Sequence, residues 1–449
     1  MNRLTNRQRF LVALTLFGMF FGAGNLIFPV HLGQLAGKNA VIAVVGFFIT
    51  AVGIPILSVA AIGNTHSDSL HVLAGRVGRR YSYFFTVLLY LTVGPLFAIP
   101  RCASTSFTVG IAPILSQGIN ERMALLIFSV IFFAIVLFCA LRPAGITIWI
   151  GKIINPVFLF FLFILLGTVF WKSDIHISTI EPTAVYLKRP LLSSAIEGYQ
   201  TMDAIAGLAF GIVVVNIIRS MGVKNDEAIA HEILYAGIWT GIFMGGIYAL
   251  TILMGAKSRG VFELADNGGI ALAQIAQYYL GRSGAFILAA IIIFACLKTS
   301  IGLVTSCAEA FVEMFPGVFN YKIWTVIFSA VSFLFSNVGL SKIIEYSLPM
   351  LMFLYPLTIT LILLALFEKV FRKSRYVYLT TTVFTCCTAL VDLLNSLPEG
   401  TKERLHIGTV IETADRILPM SNAGLGWALP AIIGFAIGYL IFLKKKGRE

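Results

Sequence analysis

The sequence predicts an all-α polytopic membrane protein with about twelve transmembrane helices. Of its 449 residues, 58% are hydrophobic and 12% charged, and the mean hydropathy is +0.91. That balance leaves too little polar surface to keep a fold of this size in water. The apolar residues gather in stretches of roughly 20 residues, the length a helix needs to cross a bilayer. Two of these stretches carry glycine and polar residues near their midpoints, where lipid cannot satisfy an opened backbone.

In chain order the first six segments run Phe10 to Val30, Ala40 to Ile62, Tyr81 to Phe107, Met123 to Leu141, Ile153 to Phe170 and Leu192 to Ile218. The second six run Ile229 to Met254, Gly284 to Val312, Ile323 to Gly339, Ile344 to Phe367, Tyr376 to Leu394 and Gly424 to Leu443. The first is not read as a cleavable signal, because no small-residue cleavage site follows it and it carries the unusual glycines. Trp149, Trp171 and Trp427 fall near segment ends, as interfacial anchors do.

A net charge of +12 raises the question of nucleic acid. The basic residues, however, are spread over short loops rather than gathered on one face or tail, so no nucleic-acid partner is expected. Alternate loops collect them, from Arg3, Arg7 and Arg9 through Arg76, Arg79 and Arg80 to Lys444, Lys445 and Lys446. By the positive-inside rule both termini are cytoplasmic and the number of spans is even. The six cysteines show no CxxC spacing, so neither a disulfide framework nor a zinc site is suggested. No cofactor and no obligate protein partner are expected.

No linker divides the chain, so residues 1–449 are read as one transporter domain, with an inverted-repeat core over 1–367 and two additional helices over 376–443. The loop stretch Gly268 to Leu280 (GGIALAQIAQYYL) is apolar enough for a short helix over the outer surface. The stretch Asn64 to Arg80 has the pattern of a segment lying along the inner interface.

The first broken segment contains FGAGNLIFP, Phe21 to Pro29, with Gly22, Gly24 and Asn25 at its middle. Five spans later the sixth contains GYQTMDAIAGLAFG, Gly198 to Gly211, with Thr201 and Asp203 near its middle. Interrupted segments at matching places in two halves point to an inverted-repeat transporter with a site between them. An opened helix offers an amide end that suits a carboxylate and a carbonyl end that suits a cation. The competing reading is that Gly22 and Gly24 only let a neighbouring helix approach.

Asp203 falls near mid-membrane, where an ionised carboxylate is costly and usually functional. A bound ammonium group or a carried proton would each account for it, as would structural hydrogen bonding. In the eighth segment, CLKTSIGLVTS (Cys296 to Ser306) sets the Cys296 carbonyl and the Thr299 and Ser300 hydroxyls at i, i+3 and i+4 on one helical face. Hard cations take such oxygen shells, whereas the plainer alternative is hydroxyls bonded back to their own helix. Lys298 points elsewhere, either snorkelling to the inner surface or taking part in charge coupling. Arg101, in GPLFAIPRCASTS, is read as a gate, a substrate-side charge with Glu345 as partner, or a snorkelling interfacial residue.

FGAGNLIFP, GYQTMDAIAGLAFGIVVVNII and the late LPMSNAGLGWALPAIIG together resemble the bacterial branched-chain amino acid carrier family, in length, span count and motif order over essentially the whole chain. The resemblance implies the leucine-transporter fold, a 5+5 inverted repeat with helices 1 and 6 broken. It further implies a symporter of the bacterial inner membrane that imports leucine, isoleucine and valine with a cation, Na+ or H+, by alternating access. On that pattern the substrate carboxylate lies near Ala23, Gly24 and Asn25, and its amino group toward Tyr199, Thr201 and Asp203. A sodium ion lies between carbonyls of Gly18 and Phe21 and the Cys296, Thr299 and Ser300 set. Lys298 departs from expectation as a positive charge beside that ion, which keeps open a proton-coupled carrier of the same fold for another small amino acid or solute. No HExxH, GxSxG, paired GxGD or P-loop motif occurs, so neither an enzyme nor an ATP-driven pump is expected.

Overall fold

The computed structural model describes residues 3–65, 67, 69–115, 120–405, 407, 408, 411, 413, 414, 418 and 425–446, and no strand occurs among them. Ten helices among the described residues are long and apolar enough to cross a membrane. The first segment is two helices, Asn6–Phe20 (α1) and Gly24–Ala36 (α2). The second is Ala40–Phe48 (α3) and Ile54–Asn64 (α4) across a wide π-helical turn at Ile49–Gly53. The third contains Arg79–Leu91 (α5) and Ala98–Thr105 (α6), followed by Glu121–Ala140 (α7) and Asn155–Lys172 (α8). The sixth is again two helices, Pro190–Glu197 (α9) and Asp203–Ser220 (α10), and the long Asp226–Ser258 (α11) follows.

The expected loop helix occupies Gly268–Leu280 (α12) and packs on α2, α8 and Arg282–Met314 (α13). Tyr321–Ser336 (α14), Leu340–Leu366 (α15), Arg375–Asn395 (α16) and Ala428–Lys446 (α17) complete the chain. Gly424, the expected start of the last segment, and residues 419–424 of the third motif lie outside the described residues.

Local sequence accounts for the helix ends. Thr5 and Gln8 form a reciprocal capping box on α1, and asparagine side chains cap α7, α11, α12 and α14, each satisfying amides a helix start leaves bare. The 41-residue apolar run Gly24–Asn64 would be about 60 Å long as a straight helix, twice the hydrocarbon core. It turns back at Gly37, whose φ of 48° is a left-handed conformation that glycine adopts without penalty.

Both interruptions are built into the backbone. Phe21, at φ −78° and ψ 85°, leaves the helical region, and the Gly22 amide, which would bond the Gly18 carbonyl in a continuing helix, donates instead to the Phe20 carbonyl at 2.9 Å and to Asn25 Oδ1 at 2.9 Å. Pro29 inside α2 lacks the amide that would bond the Asn25 carbonyl four residues back. In the sixth segment a 3₁₀ turn over Gly198–Thr201 ends at Met202, a non-glycine residue with φ 64°. Such a conformation costs about 1 to 3 kcal/mol and persists only where the surroundings enforce it.

Two packed groups meet at these interruptions. The helices α1, α2, α4 and α10 all pack on α11, and α10 also packs on α1 and α4, while α6, α7, α8 and α14 surround α13. Arg9 fixes α1 to α11 through two bonds, 2.6 and 2.7 Å, to the carboxylate of Glu232, whose side chain is fully buried. A tight seam joins α2 to α11: a Cβ on Gly33 would lie 1.9 Å from the Ile252 carbonyl oxygen, and one on Gly255 2.0 Å from that of Val30. Small residues permit this approach of two backbones. Gly33→Ala is therefore expected to destabilise the protein by about 1 to 3 kcal/mol through overpacking against rigid backbone. Thermal melting in detergent checks it, and an unchanged midpoint would mean that the two helices pack less closely.

Candidate functional site

The interruptions face one another across a cavity. Gly22, Ala23, Gly24 and Asn25 line it from the first segment, Thr201, Met202 and Asp203 from the sixth, Thr299 from α13, and Arg101 with Cys102 and Thr105 from α6. Its apolar wall comes from Met19, Phe20, Val93, Ala98, Ala206 and Leu303. A second cavity shares Gly24, Arg101 and Thr105 and continues past Phe28, α12 and Leu340.

Asp203 opens α10, where the positive end of the helix favours a carboxylate. Only 2% of the residue is exposed. Asn25 Nδ2 donates to its Oδ2 at 2.6 Å, and the Tyr248 hydroxyl donates to the same oxygen at 2.8 Å. Asn25 also reaches the Tyr248 hydroxyl, closing a triangle among α2, α10 and α11. Charge-assisted bonds of this kind are the strong ones, so the side chain of Asn25 serves Asp203 and its own loop rather than standing free for a ligand. Thr201 donates to the Gly198 carbonyl at 2.8 Å and accepts from the Asp203 amide at 3.4 Å, bracing the turn. Tyr199 does not line the cavity. It stacks on Tyr355 of α15 at 4.5 Å, whose hydroxyl donates to the Tyr199 carbonyl at 2.5 Å.

On α13 the Thr299 and Ser300 hydroxyls are buried and neither has a hydrogen-bond partner among the described residues. Back-bonding to their own helix, the plainer expectation, is thus not what they do. Thr299 stands against the opened backbone of α1, where a Cβ on Gly22 would come 3.2 Å from its hydroxyl. Gly24 likewise leaves room for Arg101, 3.3 Å from a Cβ built there. The two glycines therefore admit site side chains, not a neighbouring backbone. Of the other expected cation ligands, Gly18 and Phe21 are at the end of α1 and Cys296 is one turn before Thr299.

Lys298 does not snorkel. It is fully buried, its ammonium 3.5 Å from the ring centre of Phe158 and 4.9 and 5.4 Å from those of Phe17 and Phe21. One amide oxygen, Asn155 Oδ1, accepts from it at 3.0 Å, while Asn155 Nδ2 donates to the Leu14 carbonyl at 3.0 Å. Lys298 sits mid-way along α13, far from either end of the helix. Arg101 is not paired with Glu345: the latter is exposed, and no ion pair joins them among the described residues.

Sequence reasoning missed Tyr248, Tyr355 and Asn155. A tyrosine in an apolar helix reads as packing, and the one usable signal was that a buried tyrosine hydroxyl needs a partner.

The family profile described as "Branched-chain amino acid transport protein" matches residues 5–445. The chain belongs to this family. It is 47% identical over 435 residues to the branched-chain amino acid permease BrnQ of Lactobacillus delbrueckii subsp. lactis, covering 97% of each chain. It is 37% identical over 438 residues to BraB of Bacillus subtilis (strain 168), covering 97% of this chain and 96% of that one. Among solved structures it is similar to Mhp1, a nucleobase-cation-symport-1 family transporter in a closed conformation with bromovinylhydantoin bound, at TM-score 0.62 and 15% identity, covering 98% of this chain and 93% of that one. At that identity the likeness concerns the fold, which agrees with the leucine-transporter type implied by the motifs. As a branched-chain amino acid transport protein, the chain is a multi-pass transporter and not an enzyme.

Proposed function

We propose that this chain is a secondary symporter that imports leucine, isoleucine and valine with Na+ by alternating access across the bacterial inner membrane. The observation that carries the reading is one cavity into which two interrupted segments, a buried carboxylate and the Thr299 hydroxyl all face. The substrate ammonium lies toward Asp203, its carboxylate toward the start of α2, and its side chain against the apolar wall. Methylene differences in such a wall are worth only about 1 to 3 kcal/mol, so the three amino acids share the site. Na+ takes the Gly18, Phe21 and Cys296 carbonyls with the Thr299 and Ser300 hydroxyls. Two buried hydroxyls without partners are costly unless something binds them, and a hard cation accepts such oxygens.

Twelve spans with both termini cytoplasmic complete the proposal. The first ten form the 5+5 inverted repeat within 1–367, and 376–443 holds the additional pair. The group around α11 rocks against the group around α13. One observation favours a second reading: the fully buried Lys298 amine, bonded to Asn155, suits a proton-coupled carrier of the same fold for another small amino acid or solute. Purified protein in liposomes, given separately imposed sodium and proton gradients, is expected to take up all three amino acids under the sodium gradient. Uptake under the proton gradient alone would transfer coupling to H+, and none under either would overturn the symporter.

A further inference from the structure

We infer that Arg101 reads the substrate carboxylate, so that the site selects free α-amino acids with both charged ends unblocked; this rests on the substrate proposed above. The backbone aims Arg101 into the cavity. Between α5 and α6 a wide turn over Thr92–Leu96 contains Pro95 and Gly94, the latter at φ −95° and ψ −120°, and α6 restarts at Ala98. The kink places Arg101 in the wall shared by both cavities.

A guanidinium is always charged and carries five donors in a planar fork. Here it has the Gln200 carbonyl at a long 3.5 Å and the Phe28 ring at 5.8 Å. No carboxylate lies within ion-pair distance of it among the described residues. A half-buried cation with no carboxylate in contact, Asp203 acting on it only across the cavity, is incompletely compensated, and the planar fork fits a carboxylate in bidentate geometry. Asp203 faces the same cavity but is held by Asn25 and Tyr248. Opposite charges kept apart in one cavity match a zwitterion, with ammonium to Asp203 and carboxylate to Arg101. Gly24 belongs to this arrangement, since a side chain there would press on the guanidinium at 3.3 Å.

Binding of L-leucine and of L-leucine methyl ester to the purified full-length protein tests the inference by calorimetry. Truncating one partner of a buried charge pair should weaken binding at least ~30-fold. The wild-type protein is expected to bind leucine at least that much more tightly than the ester. Arg101→Gln should weaken leucine by the same factor and the ester less than about 3-fold, with Arg101→Lys between. Equal affinities of the wild-type protein for acid and ester would overturn the inference without any variant. So would parallel losses for both ligands in Arg101→Gln, which mark a gate or a structural residue. Failure of the folded wild-type protein to bind leucine at all would instead remove the substrate reading beneath it.

Discussion

Asp203→Asn is expected to abolish leucine uptake and weaken leucine binding by about 30-fold or more while leaving the protein folded. The two effects separate because the carboxylate plays two parts. Its Oδ2 accepts from Asn25 and Tyr248, and the amide oxygen of an asparagine still accepts both bonds. What is lost within the protein is the charge assistance and the attraction to the start of α10, roughly 1 to 2 kcal/mol together. What is lost toward the ligand is the only carboxylate among the described residues that line the cavity. A substrate ammonium would then be buried without a counter-charge, which costs several kcal/mol. Binding calorimetry and uptake, with melting as the control, check this; normal binding and uptake in the variant would return Asp203 to a structural role.

Replacing Thr299 and Ser300 together by alanine is expected to remove sodium stimulation of uptake, with more than about tenfold more sodium needed for half-activation. Each hydroxyl supplies one oxygen of the small shell a hard cation needs. The variant is unusually clean. Both hydroxyls are buried without partners, so their removal relieves two unsatisfied groups instead of breaking two bonds, and melting should be unchanged or raised. A folded variant with unaltered sodium activation would dissolve the proposed ion site and shift attention to Lys298, which bonds Asn155.

Much of the candidate site was legible in the sequence because membranes make irregularity conspicuous. Glycines 22 and 24 with Asn25, and Thr201 with Asp203, stand out where lipid tolerates only closed helices, and the structure brings both sets to one cavity. The i, i+3, i+4 oxygen face of α13 was legible for a similar reason, since helical spacing alone decides it. The errors concern partners. Of the two readings of Lys298, snorkelling or charge coupling, the first fails, because its amine lies in a cage from α1 and α8. Glu345 was offered as a partner for Arg101, but it is exposed. Asn25 lines the cavity as expected, and its side-chain bonds to Asp203 and Tyr248 were not foreseen.

The sequence by itself determined that this chain is helical and membrane-embedded, where its apolar segments run, and that the first and sixth are interrupted. These properties are local: transfer of a segment into lipid is nearly a sum over its residues, and a missing amide or a glycine acts within one turn. Only the tertiary structure decided which polar groups meet. Asn25 and Asp203 are 178 residues apart in the chain, and Lys298 and Asn155 are 143 apart. A buried polar group must find a partner whatever its distance along the chain, and hydropathy carries no record of which distant helix supplies it.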